Sequence, residues 1–376
     1  MFTTAAPLSQ TWVVRYLLEK RLIDPEDICG SALVTSDASR RNSNIKVIRE
    51  LGVSYLVKRC VERNAVETLA NEARIYAVLH GDRRFRAVSS YIPRFYGFDS
   101  RENVLVLELI GDRKAEDLEH YHLRGYFSKA IARMQGRGLA ELHRAFPRDL
   151  FDQLGLAEPT YRLPWIFSLH RPSIGQARDL SSASSQVIGI IQRHRDFHVM
   201  IDKCADYWEP TTLVHGDIKW ANFVLFSPAG TGRRTRLKII DWEYAGLGDP
   251  CWDVGSVFSA YLSCWILSMA MIYEGKKEGE DICRFPLPLM QPALRVFWSE
   301  YSSRLKLDDI QREKYLWRAT LFSAVRSIQT AIEQTQRTNV LSKNIIHLVQ
   351  LAMNTLAYPV ETIVHVFGID LRADGA

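Results

Sequence analysis

From Leu8 to Ile23 apolar residues recur at helical spacing, Val13, Val14, Leu17, Leu18 and Leu22, with Arg15, Glu19 and Lys20 opposite them. That pattern predicts an amphipathic helix at the start of the chain. SALVT, NIKVIREL and SYLVKRC follow as short alternating runs parted by polar turns, which predicts a small antiparallel sheet. Glu67 to His80 returns to the helical period through Leu69, Ala73, Tyr76, Ala77 and Leu79; NVLVLELIG predicts a further strand, and Gly125 to Arg144 a long helix. Between Pro147 and Thr212 the pattern is less regular, with a proline-bounded aromatic segment, a serine-rich turn and a helical run towards Trp208. After Pro286 one amphipathic helix follows another, among them EKYLWRATLFSAVRSIQTAI and KNIIHLVQLAMNTLAY. Strands gathered early and helices late define an α+β chain. The organisation expected is a helical extension over 1–30, a sheet-plus-helix lobe over 31–110 and a helical lobe over 111–376.

Val254 to Tyr273 complicates this picture, because twenty residues without a charge reach the length of a membrane span. Four serines and a glycine dilute the stretch, so a helix buried on most faces of the helical lobe is expected, and no membrane.

Composition adds bounds. The 376 residues are 47% hydrophobic and 24% charged, ordinary for a globular protein with room for two lobes. A net charge of +5 is spread along the chain rather than run together, which gives no call for nucleic acid while favouring an anionic ligand. Six cysteines, Cys29, Cys60, Cys204, Cys251, Cys264 and Cys283, form no C-x-x-C pair and no Cys/His metal spacing, and read as buried thiols of a reducing compartment. MFTTAAPLSQTW has no basic segment leading into an apolar one, so a cytoplasmic location is the expectation.

The chemistry is concentrated between Leu213 and Asp253, in LVHGDIKWANFVLF and LKIIDWEYAGLGDPCWDV. H-G-D-x-x-x-x-N places Asp217 and Asn222 on one short loop, and the apolar run LKII delivers Asp241 at the end of a strand. Phosphoryl transfer asks for little covalent help; it needs a hydroxyl held in place, phosphate charge neutralised and water kept out. Asp217 suits the orienting or accepting of the acceptor's proton, Asn222 and Asp241 offer the hard oxygens that Mg²⁺ prefers, and Lys219 is within reach of a γ-phosphate. The same residues also admit a plain description, HGD as a turn, Asn222 as a cap and DWE as a strand end.

In order and spacing these segments resemble the aminoglycoside phosphotransferase and choline kinase group of protein-kinase-like enzymes. The resemblance implies a bilobal fold with a small antiparallel β-sheet N-lobe that binds nucleotide and a large, mainly helical C-lobe carrying the catalytic loop and the acceptor site. It implies ATP and Mg²⁺ as cofactors and transfer to an alcohol group. It further implies that Lys58 of YLVKR holds phosphates, that Glu72 on the next helix pairs with it, that Glu108 to Gly111, with Ile110, meet adenine through the backbone, that Asp253 braces the catalytic loop and that His215 holds loop backbone. His143, in LAELHR, is expected to be structural. The family's glycine-rich loop is missing: TSDASRRNSNIKV has no glycine, and Ser39, Arg41, Asn42 and Asn44 are candidate phosphate donors in its place, or members of an ordinary polar hairpin. Trp165, His170 and Arg171 are candidate acceptor contacts.

Three segments, ASRRNSNIKV, the IKW after HGD, and WDVGSVFSAYLSCWILSM, look like the stand-alone kinases of class V lanthipeptide-type pathways. That likeness implies a Ser or Thr of a ribosomally made precursor peptide as acceptor, phosphorylated before a partner lyase eliminates phosphate. A small-molecule acceptor, such as an aminoglycoside, choline or another amino-alcohol or sugar hydroxyl, is the second expectation. A pseudokinase that binds without turnover is the third.

Overall fold

The computed structural model describes residues 8–29, 33–39, 43–60, 62–111, 115–154, 156, 163–172, 180–227, 235–270, 282–336 and 338–371. The chain divides into two compact units, one comprising 1–121 and 221–245, the other 122–220 and 246–376. The first unit therefore takes in Asn222 and Asp241, from a stretch that the sequence pattern groups with the helices.

In the first unit, helix α1 (Gln10–Glu19) begins at Ser9, whose hydroxyl accepts from the Trp12 backbone N–H. Five strands follow, β1 (Leu33–Asp37), β2 (Ser43–Arg49), β3 (Tyr55–Arg59), β4 (Phe95–Asp99) and β5 (Val104–Glu108), with α2 (Arg63–Gly81) between β3 and β4. They form one antiparallel sheet in the order β1-β2-β3-β5-β4. Alternation in the sequence turns Ile45 and Val47 of β2, Tyr55 and Val57 of β3 and Val104 and Val106 of β5 into a shared core with Val13, Tyr16 and Leu17 of α1. Each fully buried aliphatic side chain there contributes roughly 1.5–3 kcal/mol, and Arg59 lays its guanidinium 4.6 Å from the Trp12 ring centre. Strands β6 (Glu116–Asp117), β8 (Phe223–Phe226) and β9 (Arg236–Ile239) make a second small sheet of this unit.

The second unit is helical: α3 (Lys129–Ala145), α4 (Ser182–Arg193), α5 (Arg195–Asp206), α6 (Pro250–Leu267), α7 (Leu287–Leu305), α8 (Asp309–Thr335) and α9 (Lys343–Ala357). Two pairs of helices approach closely enough to require glycine. A Cβ on Gly255 of α6 would stand 2.6 Å from the Ala319 carbonyl oxygen of α8, and one on Gly136 of α3 would stand 2.6 Å from that of Phe297 on α7. The uncharged stretch from Val254 supplies α6, which is buried from Pro250 to Ser259 and ends at Leu267. Among the described residues no helix is long and apolar enough to cross a membrane. The pair β7 (Thr212–Val214) and β10 (Gly246–Gly248) runs antiparallel and delivers the HGD loop.

Candidate functional site

In the first unit, β3 carries Lys58 with its side chain only 7% exposed. A lysine so placed needs partners, and it has two carboxylates. Its Nζ lies 2.9 and 3.0 Å from the two oxygens of Glu72 on α2 and 2.9 Å from Oδ1 of Asp241. Burial alone would lower the lysine's pKa, but the two carboxylates more than offset it and hold the ammonium above its ordinary range. Glu72 also accepts, at 3.3 Å, from the Trp242 backbone N–H, so one buried glutamate fixes both the lysine and the backbone beyond Asp241.

Asp241 follows β9 in a left-handed conformation, φ 69°, which Asp tolerates better than most residues. In the β8–β9 ladder Phe223 is opposite Ile239, and the Ile240 N–H donates to the Asn222 carbonyl at 2.9 Å. The hairpin therefore brings Asn222, itself buried, and Asp241 to one end. Two hard oxygen donors at one hairpin end suit Mg²⁺, a cation that favours oxygen over nitrogen or sulfur. Asn71 of α2 donates to the Glu243 and Ala245 carbonyls at 3.2 and 2.9 Å, holding the turn that follows.

In the second unit the HGD loop is built around Asp253 of α6, which has no exposed side-chain surface. Its carboxylate accepts from the backbone N–H groups of His215 at 2.7 Å and Gly216 at 3.0 Å, and lies 3.2 Å from Nε2 of His143. His143 in turn meets the Tyr301 hydroxyl at 2.8 Å. Trp252 donates its indole N–H to the Gly216 carbonyl at 3.0 Å, and the Asp217 N–H donates to Nδ1 of His215 at 3.3 Å. Gly216 has φ 81°, a conformation that glycine adopts without strain. The loop backbone is thus fully anchored before its first functional side chain.

That side chain, Asp217, is 13% exposed and lies between two cations. Lys219 Nζ is 2.6 Å from one oxygen, and Nη2 of Arg326, from the middle of α8, is 3.2 Å from the other. Arg326, 4% exposed, also pairs with Glu333 at 2.9 Å. Burial pushes the Lys219 pKa down, but the Asp217 carboxylate outweighs it and raises the pKa overall. Arg326 was not among the sequence candidates. Its signal is one of phase: it falls three and four residues after Ser323 and Phe322, both buried, where an unpaired arginine would not be tolerated.

Other candidates are engaged within their own segments. The Ser39 hydroxyl accepts from the Asn44 N–H at 3.0 Å, and the Ser39 N–H donates to Asp37 at 2.7 Å, closing the polar hairpin between β1 and β2. Arg41 and Asn42 lie outside the described residues. Glu108 ends β5, its carboxylate accepting from the Arg94 N–H at 3.0 Å, and Ile110 is buried beside it in sequence. Trp165 is 41% exposed, while Arg171 and His170 both turn to Asp202.

A five-stranded antiparallel sheet with a buried Lys–Glu pair, and a helical unit that carries an anchored HGD loop, define a kinase-like phosphotransferase. The model of the phosphotransferase enzyme family matches residues 34–270, and the chain belongs to that family. It is accordingly an ATP-dependent kinase with an alcohol group as acceptor. Among solved structures of similar fold, a mutant aminoglycoside 2'-phosphotransferase in a GDP complex shares 14% identity over 95% of this chain and 99% of that one, with a TM-score of 0.52. An ADP-bound aminoglycoside phosphotransferase, APH(2'')-Ib, shares 15% over 93% and 99%, TM-score 0.51. The choline kinase of Cryptosporidium parvum Iowa II shares 12% over 94% and 96%, TM-score 0.52. At these identities the likeness is one of fold. No curated protein sequence matches the chain.

Proposed function

We propose that the chain moves the γ-phosphoryl group of ATP to a Ser or Thr hydroxyl of a ribosomally made precursor peptide, with Asp217 as the residue that orients and deprotonates the acceptor. The acceptor oxygen forms a bond to the γ-phosphorus as the bond to the bridging oxygen breaks, and the acceptor's proton passes to Asp217. Lys219 and Lys58 stabilise phosphate charge; Glu72 holds Lys58. Asn222 and Asp241 would hold Mg²⁺, which when bound neutralises phosphate oxygens and so favours transfer. His215 and Asp253 keep the loop in place.

The observation that carries the choice of acceptor is the pair of cations on Asp217, Lys219 at 2.6 Å and Arg326 at 3.2 Å. A D-x-K arrangement is that of Ser/Thr protein kinases, and two cations beside the base disfavour an acceptor whose own positive charge must approach it. Glu333, on the far side of Arg326, supports the second reading, a small-molecule acceptor, because it supplies an anionic group near the same helix. In the peptide reading a lyase partner acts next.

The purified chain, γ-labelled ATP, Mg²⁺ and a host extract separated by size form the test, with Asp217→Ala as control. Asp217-dependent label in the peptide fraction is expected. Label confined to the small-molecule fraction would contradict the peptide acceptor, and label in neither would favour a binding module without turnover.

A further inference from the structure

A second cluster of ligating side chains lies in the helical unit, on residues the phosphotransfer site does not use. His170 follows the short 3₁₀ turn Trp165–Ser168, and α5 carries His198 and Asp202 four residues apart, on one face of the helix. The His170 and His198 rings are stacked, with centres 5.6 Å apart and planes 16° from parallel. One ligating atom from each of His170, His198 and Asp202 falls within 4.8 Å of the others.

The hydrogen bonding of this cluster is incomplete. The His170 side chain is 3% exposed, yet neither of its ring nitrogens makes a hydrogen bond, nor does Nδ1 of His198. Nε2 of His170 lies 3.1 Å from Oδ1 of Asp202, but the two are out of hydrogen-bonding alignment. A buried imidazole nitrogen without a hydrogen-bond partner is unfavourable, and a ligand that takes up these nitrogens would offset that cost. Arg171 holds the other oxygen of Asp202, as outer partners commonly hold a ligating carboxylate, leaving Oδ1 on the imidazole side.

We propose that His170, His198 and Asp202 form a binding site for a divalent transition metal of the Zn²⁺ type, with three protein ligands and a fourth position open to solvent. Asp202 is 37% exposed, which gives the ion a way in. Bonds of about 2.0–2.2 Å to nitrogen and oxygen require the three atoms to close by small side-chain rotations. Two imidazoles select against Mg²⁺, whose oxygen-only preference is met instead by Asn222 and Asp241. The ion would staple the turn at His170 to α5.

The test uses the full chain, stripped with a chelator and dialysed into excess Mg²⁺ without nucleotide, then titrated with Zn²⁺ against a chromophoric chelator and, separately, with Co²⁺ followed by its visible spectrum. One equivalent of Zn²⁺ is expected, with a tetrahedral Co²⁺ spectrum and a rise of a few degrees in the thermal midpoint. His198→Gln and Asp202→Asn each change a partly exposed side chain and should each weaken uptake at least tenfold and abolish the thermal shift, with the far-ultraviolet circular dichroism of both variants unchanged. Absence of stoichiometric uptake in the presence of Mg²⁺, or uptake that both folded variants retain in full, would overturn the proposal.

Discussion

The two units each contain a lysine–carboxylate cluster, and the clusters differ in how they are closed. Around Lys58 the cation, 7% exposed, and Glu72, 1% exposed, are both buried, and the lysine is saturated by Glu72 and Asp241. Around Asp217 the anion is the enclosed member, and one of its two cations, Lys219, is 43% exposed. The first arrangement is a fixed electrostatic post suited to phosphate, which every kinase substrate pair shares. The second leaves one side open to water, as an acceptor requires, and it is completed by Arg326 from a helix 109 residues further along. On the reading proposed above, the saturated cluster would meet phosphate and the open one the acceptor.

The comparison can be broken most severely at Asp241. Asp241→Asn keeps an oxygen but removes the negative charge that pairs with Lys58 and would face Mg²⁺, and is expected to reduce turnover about a hundredfold or more while weakening Mg-nucleotide binding, measured by label transfer and by nucleotide titration. Glu72→Gln should act on stability as well as rate, because it withdraws the more buried carboxylate of a closed pair; a loss of about 3 kcal/mol in urea unfolding is expected. An unchanged midpoint would mean that Asp241 alone satisfies Lys58.

A pH experiment separates the two units. Burial lowers the pKa of His122 in the helical unit from 6.5 to about 4, while its ring Nδ1–H donates to the Tyr126 carbonyl at 2.6 Å. A depressed folded-state pKa means that the unfolded chain binds the proton first, so the stability this residue contributes is complete above pH 6.5 and lost as pH falls towards 4. At 1.36 kcal/mol per pKa unit the loss is about 3 kcal/mol. His122→Phe, which keeps a ring beside Phe127, Trp220 and Tyr261, should flatten that part of the profile; an identical acid slope in the variant would assign it elsewhere. The smallest effect is expected at Arg326→Gln. Lys219 remains on Asp217, so turnover should fall only about tenfold. A variant with unaltered kcat and unaltered acceptor KM would make Arg326 structural only.

How much of this was legible in the sequence depended on how local each signal is. The HGD loop and Asn222 are a few residues apart, and Asp241 follows the last strand of the β8–β9 hairpin, so order and spacing carried them. Lys58 and Glu72 could be paired because a strand and one helix separate them. Strand β4 escaped notice because none of its five residues is either fully buried or fully exposed and a register shift falls between Phe95 and Gly97, which erases the alternation that marks a strand. Arg326 escaped because a charge within an amphipathic helix ordinarily faces water; only its position in phase with Phe322 indicated otherwise. His170 was a candidate acceptor contact only because the family resemblance pointed to its segment as shaping the acceptor site; its place beside His198 and Asp202 depends on the fold.

The most direct test of the central claim is single-turnover transfer from γ-labelled ATP by Asp217→Asn beside the unmodified chain, with nucleotide affinity measured on the same samples. A fall of about a hundredfold or more in transfer at unchanged affinity is the predicted result. A rate within a few-fold of the unmodified chain would contradict the assignment of Asp217 as the residue that takes the acceptor's proton.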